Sequence, residues 1–230
     1  MSMAVSLKRA IYEENDVRAR SIHESLRARG IFAVNVLGGP GAGKTSLISA
    51  LAKRIRASGG KVAVIEGDLA SDIDTRALRE LGIEAFQIET GGDCHLNAPM
   101  IEAVLGKMRI EDGSWLFIEN IGNLVCPAEF VIGEDLKIVV AGVSEGSDKP
   151  YKYPFIFAKS AACVLTKIDL KEAMAFDQGY FEAGLAAAAP SAALLELNGR
   201  TGEGADEILV WLSRARERLR AEALAGVVAP

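Results

Sequence analysis

The sequence predicts a three-layer α/β fold, in which helices cover both faces of a mostly parallel sheet. Short apolar runs typical of buried strands alternate with amphipathic runs typical of helices over most of the 230 residues. No internal repeat and no low-complexity linker interrupts this alternation. We therefore expect a single domain over residues 31–225, with residues 1–30 packed on it as an N-terminal helix.

The predicted elements follow from the spacing of apolar residues in chain order. Strands are predicted over residues 31–37, 61–66, 84–88, 114–118, 136–143, 162–166 and 192–197. Helices are predicted over residues 6–29, 45–57, 75–81, 95–108, 170–189 and 206–224, with Pro99 in the first turn of the fourth. Sheets of this kind bind their ligands beyond the carboxyl ends of the strands.

Composition and charge exclude several classes of protein. Lys and Arg number 26 and Asp and Glu number 31, so the net charge of −5 disfavours a nucleic-acid binder. No apolar run is long enough to predict a membrane span, and the N-terminus makes a poor signal peptide. The three cysteines, Cys94, Cys126 and Cys163, predict free thiols or metal ligands in a reducing cytoplasm.

Residues 38–45 read GGPGAGKT and match the phosphate-binding pattern G-x-x-x-x-G-K-[ST]. A predicted strand precedes them and a predicted helix follows, so the backbone N–H groups and the helix N-terminus can surround phosphates. Lys44 supplies a point charge, and the Thr45 hydroxyl suits Mg²⁺. The alternative is a glycine-rich turn of a dinucleotide site, which the Lys-Thr pair disfavours. The predicted nucleotide-binding residues here are Gly38, Gly39, Gly41, Ala42, Gly43, Lys44, Thr45 and Ser46.

Two later segments predict the choice of base. Residues 166–169 read TKID at the end of a predicted strand, where GTPases have N-K-x-D. The Asp169 carboxylate can accept two hydrogen bonds from guanine, which adenine cannot offer, and the stem of Lys167 can lie over the base. Thr166 replaces an Asn that mostly braces the loop, so we expect the change to affect rigidity more than base choice. Asn198 and Gly199, in LNGRTGEG, are candidates for a guanine-contacting loop.

Carboxylates end the middle strands. Asp68 closes the sequence EGD, and Glu119 and Gly122 lie in IENIGN. The second segment resembles the D-x-x-G arrangement, in which an acid reaches Mg²⁺ and a glycine N–H senses the γ-phosphate. Because hard divalent cations take oxygen ligands, we expect Asp68 and Glu119 to complete a magnesium site with Thr45. The alternative for each acid is an ordinary loop cap.

Cysteine and histidine occur together in two loops. Cys94 is followed directly by His95 after Gly91-Gly92, and Cys126 follows Glu119 by seven residues. Adjacent side chains diverge on a regular helix or strand but can converge in a glycine-rich loop. Cys and His suit Zn²⁺ or Ni²⁺, although three ligands leave the fourth to a water, a carboxylate or a second subunit. Two buried thiols and a helix-capping histidine are the alternative.

The order of GGPGAGKT, GDLASDID, TGGDCHLNA, ENIGNLVCPA, EGSDKPYKYP and TKIDL resembles the HypB family of hydrogenase nickel-incorporation GTPases. The resemblance runs from about residue 7 to residue 218. It implies a SIMIBI-class P-loop fold, GTP hydrolysis, a nucleotide-linked homodimer, and a Zn²⁺ or Ni²⁺ site at the dimer interface. Transferred by position, that site consists of Cys94, His95 and Cys126.

The resemblance also implies partners: a HypA-type nickel chaperone and the hydrogenase large-subunit precursor. Two departures stand out, since Asn97 replaces the usual Asp of C-H-L-D-A and the chain carries no N-terminal Cys-rich or His-rich nickel motif. The alternatives are a GTP-gated scaffold or regulator with no metal to deliver, an ATP-dependent P-loop protein, and a urease-type nickel GTPase. Asp169 disfavours the second, and the third has a Cys-Pro-His motif that is absent here.

Overall fold

The computed structural model describes residues 3–68, 73–80 and 82–226. The strands are β1 (Phe32–Gly38), β2 (Val62–Asp68), β3 (Glu84–Glu89), β4 (Trp115–Glu119), β5 (Leu136–Gly142), β6 (Ala162–Thr166) and β7 (Ala193–Leu197). They form one sheet in the order β3-β2-β4-β1-β5-β6-β7. Every pairing between neighbouring strands is parallel, as the alternation of elements predicts.

Helices pack on both faces of this sheet. Their bounds are α1 (Met3–Ala28), α2 (Lys44–Ala57), α3 (Ile73–Glu80), α4 (Ala98–Leu105), α5 (Cys126–Glu129), α6 (Lys149–Lys152), α7 (Pro154–Ala158), α8 (Gln178–Ala188) and α9 (Ala205–Leu224). One core joins the sheet to α2 and α9, a second joins it to α1 and α4, and a third joins it to α7 and α8. Within the described ranges, none of these helices combines the length and apolar character that a membrane span requires.

The strands alternate between these cores along their length. Val34 and Val36 of β1 face α2, whereas Ala33 faces α1 and α4, so this strand is buried on both sides. The carboxyl ends of all seven strands lie at one edge. The loops that follow β1, β4 and β6 therefore meet at that edge, where the sequence places its candidate residues.

The helix predicted over residues 170–189 is wrong in its first part. The chain instead makes a 3₁₀ turn over Ile168–Leu170, and α8 begins only at Gln178. Ala175 adopts a left-handed conformation with φ 46°, and the Asp177 side chain accepts a hydrogen bond from the Tyr180 N–H. These two features end one segment and start the next, which an alanine-rich composition does not reveal.

The helix predicted over residues 95–108 is shorter at both ends. It begins at Ala98 because the Asn97 side chain caps it, accepting from the Met100 N–H at 3.1 Å. His95 therefore lies in the preceding loop and not on the helix. The short helices α5, α6 and α7 were not predicted, since each is only four or five residues long.

Candidate nucleotide and metal site

The phosphate loop runs from the end of β1 into the first turn of α2, and two of its glycines are required by their surroundings. A Cβ on Gly38 would lie 2.5 Å from the Val140 carbonyl oxygen. Gly43 has a φ of 100°, and a Cβ there would lie 3.1 Å from the Thr166 hydroxyl oxygen. Any side chain at these positions would push the loop away from the neighbouring strands β5 and β6.

Lys44 lies inside this loop. Its side chain is buried, and Nζ donates to the carbonyl oxygens of Gly38 at 3.3 Å and Gly39 at 3.1 Å. A cleft of about 600 Å³ opens beside it, a volume in the range of small-ligand sites. Of the residues predicted to bind nucleotide or Mg²⁺, the cleft is lined by Gly41, Gly43, Lys44, Thr45, Ser46, Glu119, Lys167 and Gly199.

The cleft also contains residues that the sequence analysis missed. Ser49 and Lys53 continue the face of α2 that begins at Ser46, and Arg54 and Arg200 also line the cleft. The spacing of three and seven residues from Ser46 is the signal that could have identified the first two. The cationic groups of Lys53, Arg54 and Arg200 favour an anionic ligand. Gly38, Gly39, Ala42, Thr166, Asp169 and Asn198 were predicted as binding residues but do not line the cleft.

The predicted magnesium ligands Thr45 and Glu119 are in contact. The Thr45 hydroxyl donates to Glu119 Oε1 at 3.0 Å. The register of β2 and β4 places Glu66, which is buried, directly beside Glu119. Glu66 is therefore a further candidate, although only Asp68 was selected from the sequence EGD. The Asp68 backbone ends β2, and its side chain lies outside the described part of the chain.

The side chains of Thr166 and Asn198 stabilise the loops that follow β6 and β7 by hydrogen bonds to the backbone. Thr166 is buried, and its hydroxyl donates to the Ala42 carbonyl oxygen in the phosphate loop. The Asn198 side-chain oxygen accepts from the N–H groups of Arg200 at 3.1 Å and Thr201 at 3.3 Å. Both residues therefore support the loops from behind and do not face the cleft themselves.

Of the two base-recognition candidates in TKID, Lys167 lines the cleft and Asp169 does not. Asp169 is one-third exposed, and its Oδ2 is 3.9 Å from an Arg200 guanidinium nitrogen. Lys167 has a left-handed backbone with φ 58°, and its ammonium group donates to the Ser144 hydroxyl at 3.0 Å. Arg200, which lies in LNGRTGEG, is thus the partner of the predicted specificity residue.

The three candidate ligands of a transition metal come together at the same edge of the sheet. One donor atom each from Cys94, His95 and Cys126 lies within 4.8 Å of the others, and Cys94 Sγ is 3.5 Å from His95 Nδ1. Two ligands of one tetrahedral ion, at about 2.0–2.3 Å from it, lie about 3.3–3.8 Å apart, so a small contraction suffices. Gly91 and Gly92, with φ of 63° and 113°, form the turn that lets adjacent side chains converge.

The protonation of the cluster follows from its contacts. A hydrogen bond with the Cys126 thiol, aided by burial, raises the pKa of Cys94. Burial lowers the pKa of His95, which favours the neutral imidazole that binds metals. The histidine is therefore ready to coordinate at neutral pH, whereas the Cys94 thiol must release its proton when a metal binds.

One loop links the phosphate loop to this cluster. A Cβ on Gly122 would lie 3.0 Å from the Pro40 backbone, and Asn123 forms an antiparallel bridge with Gly38. The Asn123 amide also donates to the Cys94 carbonyl oxygen at 3.3 Å. The segment between Glu119 and Cys126 thus contacts the nucleotide side and the metal side at once.

Comparison with known proteins identifies the family. Residues 32–195 match the family model of the CobW/HypB/UreG nucleotide-binding domain. The hydrogenase maturation factor HypB of Rhizobium leguminosarum bv. viciae is 40% identical over 220 residues, covering 95% of this chain and 73% of that protein. The chain belongs to the HypB family. The resemblance predicted from the motifs is therefore confirmed.

Two solved HypB structures share the fold. The crystal structure of HypB from Archaeoglobus fulgidus has a TM-score of 0.82 and 37% identity, covering 89% of this chain and 99% of that one. The structure of HypB from Helicobacter pylori in complex with nickel has a TM-score of 0.84 and 32% identity, covering 89% and 96%. The predicted three-layer P-loop fold is confirmed, and this HypB-family chain is a nucleotide-binding protein.

Two buried polar residues, neither of which the sequence analysis selected, support the cluster in this HypB-family chain. The Asn120 side-chain oxygen accepts from the Leu96 N–H at 3.1 Å, and its amide donates to Asn35 Oδ1 at 3.3 Å. Lys137 donates to the Phe130 carbonyl oxygen at 2.6 Å, closing the end of α5, and burial lowers its pKa. Both fix the loops that carry the ligands to the sheet.

The structure also explains Asn97, which departs from the HypB pattern, and Cys163, which lies outside the metal cluster. Asn97, where the HypB pattern has Asp, uses its side chain to cap α4, a role that Asn and Asp fill equally well. Cys163 is fully buried in β6, and burial strongly raises its pKa. It is therefore a core residue of the sheet.

Proposed function

We propose that this protein is a GTP-hydrolysing metallochaperone that carries nickel to the large-subunit precursor of a NiFe hydrogenase. The Rhizobium relative is named a hydrogenase maturation factor, and the Helicobacter pylori neighbour is a complex with nickel. The proposal includes the GTPase domain over residues 31–225, a cytoplasmic location and a HypA-type nickel chaperone as partner. Nickel is the cargo, and zinc is the competing ion for the same Cys and His ligands.

Guanine specificity and hydrolysis are assigned to the residues around the cleft. Asp169 accepts hydrogen bonds from the guanine edge, while Lys44 and the phosphate-loop N–H groups hold the phosphates. The contact between the Thr45 hydroxyl and the Glu119 carboxylate offers the oxygen donors that Mg²⁺ prefers, with Asp68 as the third candidate. When bound, Mg²⁺ neutralises phosphate charge. Gly122, against Pro40, is placed to respond to the γ-phosphate.

The contacts of Asn123 are the observation that supports control of nickel affinity by the nucleotide state. It pairs with Gly38 of the phosphate loop, holds the Cys94 carbonyl, and precedes Cys126 by three residues. Loss of a γ-phosphate releases such switch loops in GTPases. A shift of about 1–2 Å in Cys126 would break metal–sulfur distances near 2.3 Å, so hydrolysis would weaken nickel binding.

The exposure of the cluster supports a homodimer. Cys94 is exposed, and Val125, directly before Cys126, is 56% exposed. Three protein ligands leave a tetrahedral ion incomplete, and a second copy of the chain can supply the rest. Apolar surface beside an incomplete metal site is what a nucleotide-linked dimer would bury.

The proposal is tested by calorimetric titration of nickel into protein loaded with GDP or with a non-hydrolysable GTP analogue. We expect different affinities in the two states for the wild type and equal affinities for Asn123→Ala. Gln178→Ala, which removes a side-chain amide on α8 away from the cleft, should keep the difference. Cys126→Ala should lose nickel while still binding GDP.

Equal nickel affinities in the two nucleotide states of the wild type would contradict the coupling. Retained nickel binding in Cys126→Ala would contradict the site itself. A protein that binds GTP and recruits partners but takes up no nickel would instead fit the scaffold alternative.

A further inference from the structure

Helix α1 contacts both segments of chain that carry the metal ligands. Asn15 of α1 is buried, and its amide donates to the Val131 carbonyl oxygen at 2.8 Å. Its side-chain oxygen accepts from the Ala98 N–H at 2.9 Å. Val131 follows Cys126 by five residues, and Ala98 follows His95 by three. One side chain thus fastens the Cys126 segment to the Cys94–His95 segment.

A stack of three rings makes the second connection. The His95 ring lies against the Phe130 ring, with centroids 3.9 Å apart and planes 23° apart. The Phe130 ring lies against the Tyr12 ring of α1, at 4.9 Å and 18°. The Tyr12 hydroxyl donates to the carboxylate of Glu129, which ends α5. The plane of the ligand imidazole is therefore set by a ring that α1 supports from behind.

C-terminal to Asn15, the helix is held against α4 by apolar packing and by an ion pair. Ile22 and Leu26 are buried in the core that also contains Ile101 of α4. Arg18 forms an ion pair at 2.7 Å with Glu102 of α4. Because α1 is fixed to α4 in this way, its contacts through Tyr12 and Asn15 transmit a defined position to the two loops.

We propose that Asn15 and the Tyr12–Phe130–His95 stack are positioning elements of the nickel site, so that α1 determines how the imidazole meets the two thiols. The inference rests on the proposed function, in which this cluster binds nickel. The second side-chain torsion of histidine is broad, so an unsupported imidazole would sample many planes before binding. A stacked ring and a fastened loop remove that freedom, as outer contacts do for metal ligands generally.

The test is nickel titration of Phe130→Leu and Tyr12→Leu, followed by calorimetry and by the thiolate-to-nickel charge-transfer absorption band. Removal of an outer-shell contact costs metal affinity about 10–100-fold, and we expect a loss near the lower limit for each variant. The band should shift as well, because the imidazole meets the ion at a changed angle. Phe130→Tyr keeps the stack and should restore both the affinity and the band.

Phe86→Leu is the matched control, since Phe86 packs against the core that joins α1 and α4. It should keep the wild-type affinity and band, which separates ring stacking from general loosening of the core. GDP affinity, measured on every variant, reports that the fold is intact. Asn15→Ala is a second variant, which leaves the stack in place and should also lower nickel affinity.

Wild-type affinity and an unshifted band in Phe130→Leu and in Asn15→Ala would overturn the inference. If nickel binding is lost in Cys126→Ala at the same time, the proposed metal site stands and only the positioning role falls. If the wild type itself binds no nickel, the proposed function and this inference fall together.

Discussion

Replacing Thr166 by valine tests whether the phosphate loop and the base loop act as one unit. The Thr166 side chain is 2% exposed, its hydroxyl donates to the Ala42 carbonyl oxygen, and the Ala141 carbonyl oxygen lies 3.4 Å away. Valine is nearly isosteric with threonine, and it replaces the hydroxyl by a methyl group that cannot donate a hydrogen bond. The substitution therefore removes the hydrogen bond and little else.

The cost follows from where the bond lies. A buried carbonyl that loses its donor costs about 1–3 kcal/mol, and Ala42 is fully buried. We expect the free energy of unfolding to fall by that amount. Because Ala42 belongs to the phosphate loop and Thr166 begins the base loop, we also expect GDP affinity to fall about tenfold, which corresponds to about 1.4 kcal/mol.

Urea unfolding gives the stability change, and calorimetric titration with GDP gives the affinity. Thr166→Ser is the matched control, because it keeps the hydroxyl and loses only a methyl group, worth about 0.8 kcal/mol of stability. The serine variant should bind GDP as the wild type does. GDP affinity within twofold of the wild type in Thr166→Val would refute the idea that this hydroxyl couples the loops.

Two further substitutions test the recognition of guanine and the support that Lys137 gives to the end of α5. Asp169→Asn should weaken GTP binding and admit xanthosine triphosphate, since each lost charge-assisted hydrogen bond is worth about 1.5–3 kcal/mol at most. Competition titrations measure the affinities for both nucleotides. Equal affinities of the wild type for ATP and GTP would contradict the assignment of Asp169. Lys137→Met should cost about 3–5 kcal/mol, because the buried Glu134 loses its partner at 3.5 Å. Burial lowers the pKa of Lys137 in the folded protein, so the unfolded chain binds more protons than the native one between that lowered pKa and pH 10.5. The free energy of unfolding of the wild type should therefore rise with pH over this range, relative to that of Lys137→Met. Urea unfolding of both proteins at two pH values checks this, and a stability difference that does not change with pH would count against it.

Much of the fold could be predicted because its signals are local. Apolar runs mark the strands, and β1 and β5 in the middle of the sheet are buried on both faces as a parallel sheet requires. The segment over residues 170–189 shows the limit. Alanine-rich composition favours a helix, but the left-handed turn at Ala175 and the cap at Asp177 depend on packing that composition does not contain.

The site residues likewise fall into those that local motifs identify and those that depend on contacts distant in sequence. Motif spacing identified Lys44, Thr45 and Glu119, which the structure brings to one cleft, because sequence neighbours fix the phosphate loop. Glu66 was missed because its place beside Glu119 depends on the register of two strands far apart in sequence. The contact of Tyr12 with Phe130 joins residues 118 positions apart, and no periodicity encodes such a pair.

Because Cys163 is buried, chemical modification of thiols in the folded protein reports on the cluster alone. Its thiol is fully enclosed in β6 and stays protonated, so a thiol-reactive dye applied to the folded protein cannot modify it. Under native conditions only Cys94 and Cys126 are accessible to the dye, and unfolding adds the third thiol. Under the proposed function, the native labelling signal should fall as nickel covers the two thiols, so it reports metal occupancy without an engineered reporter.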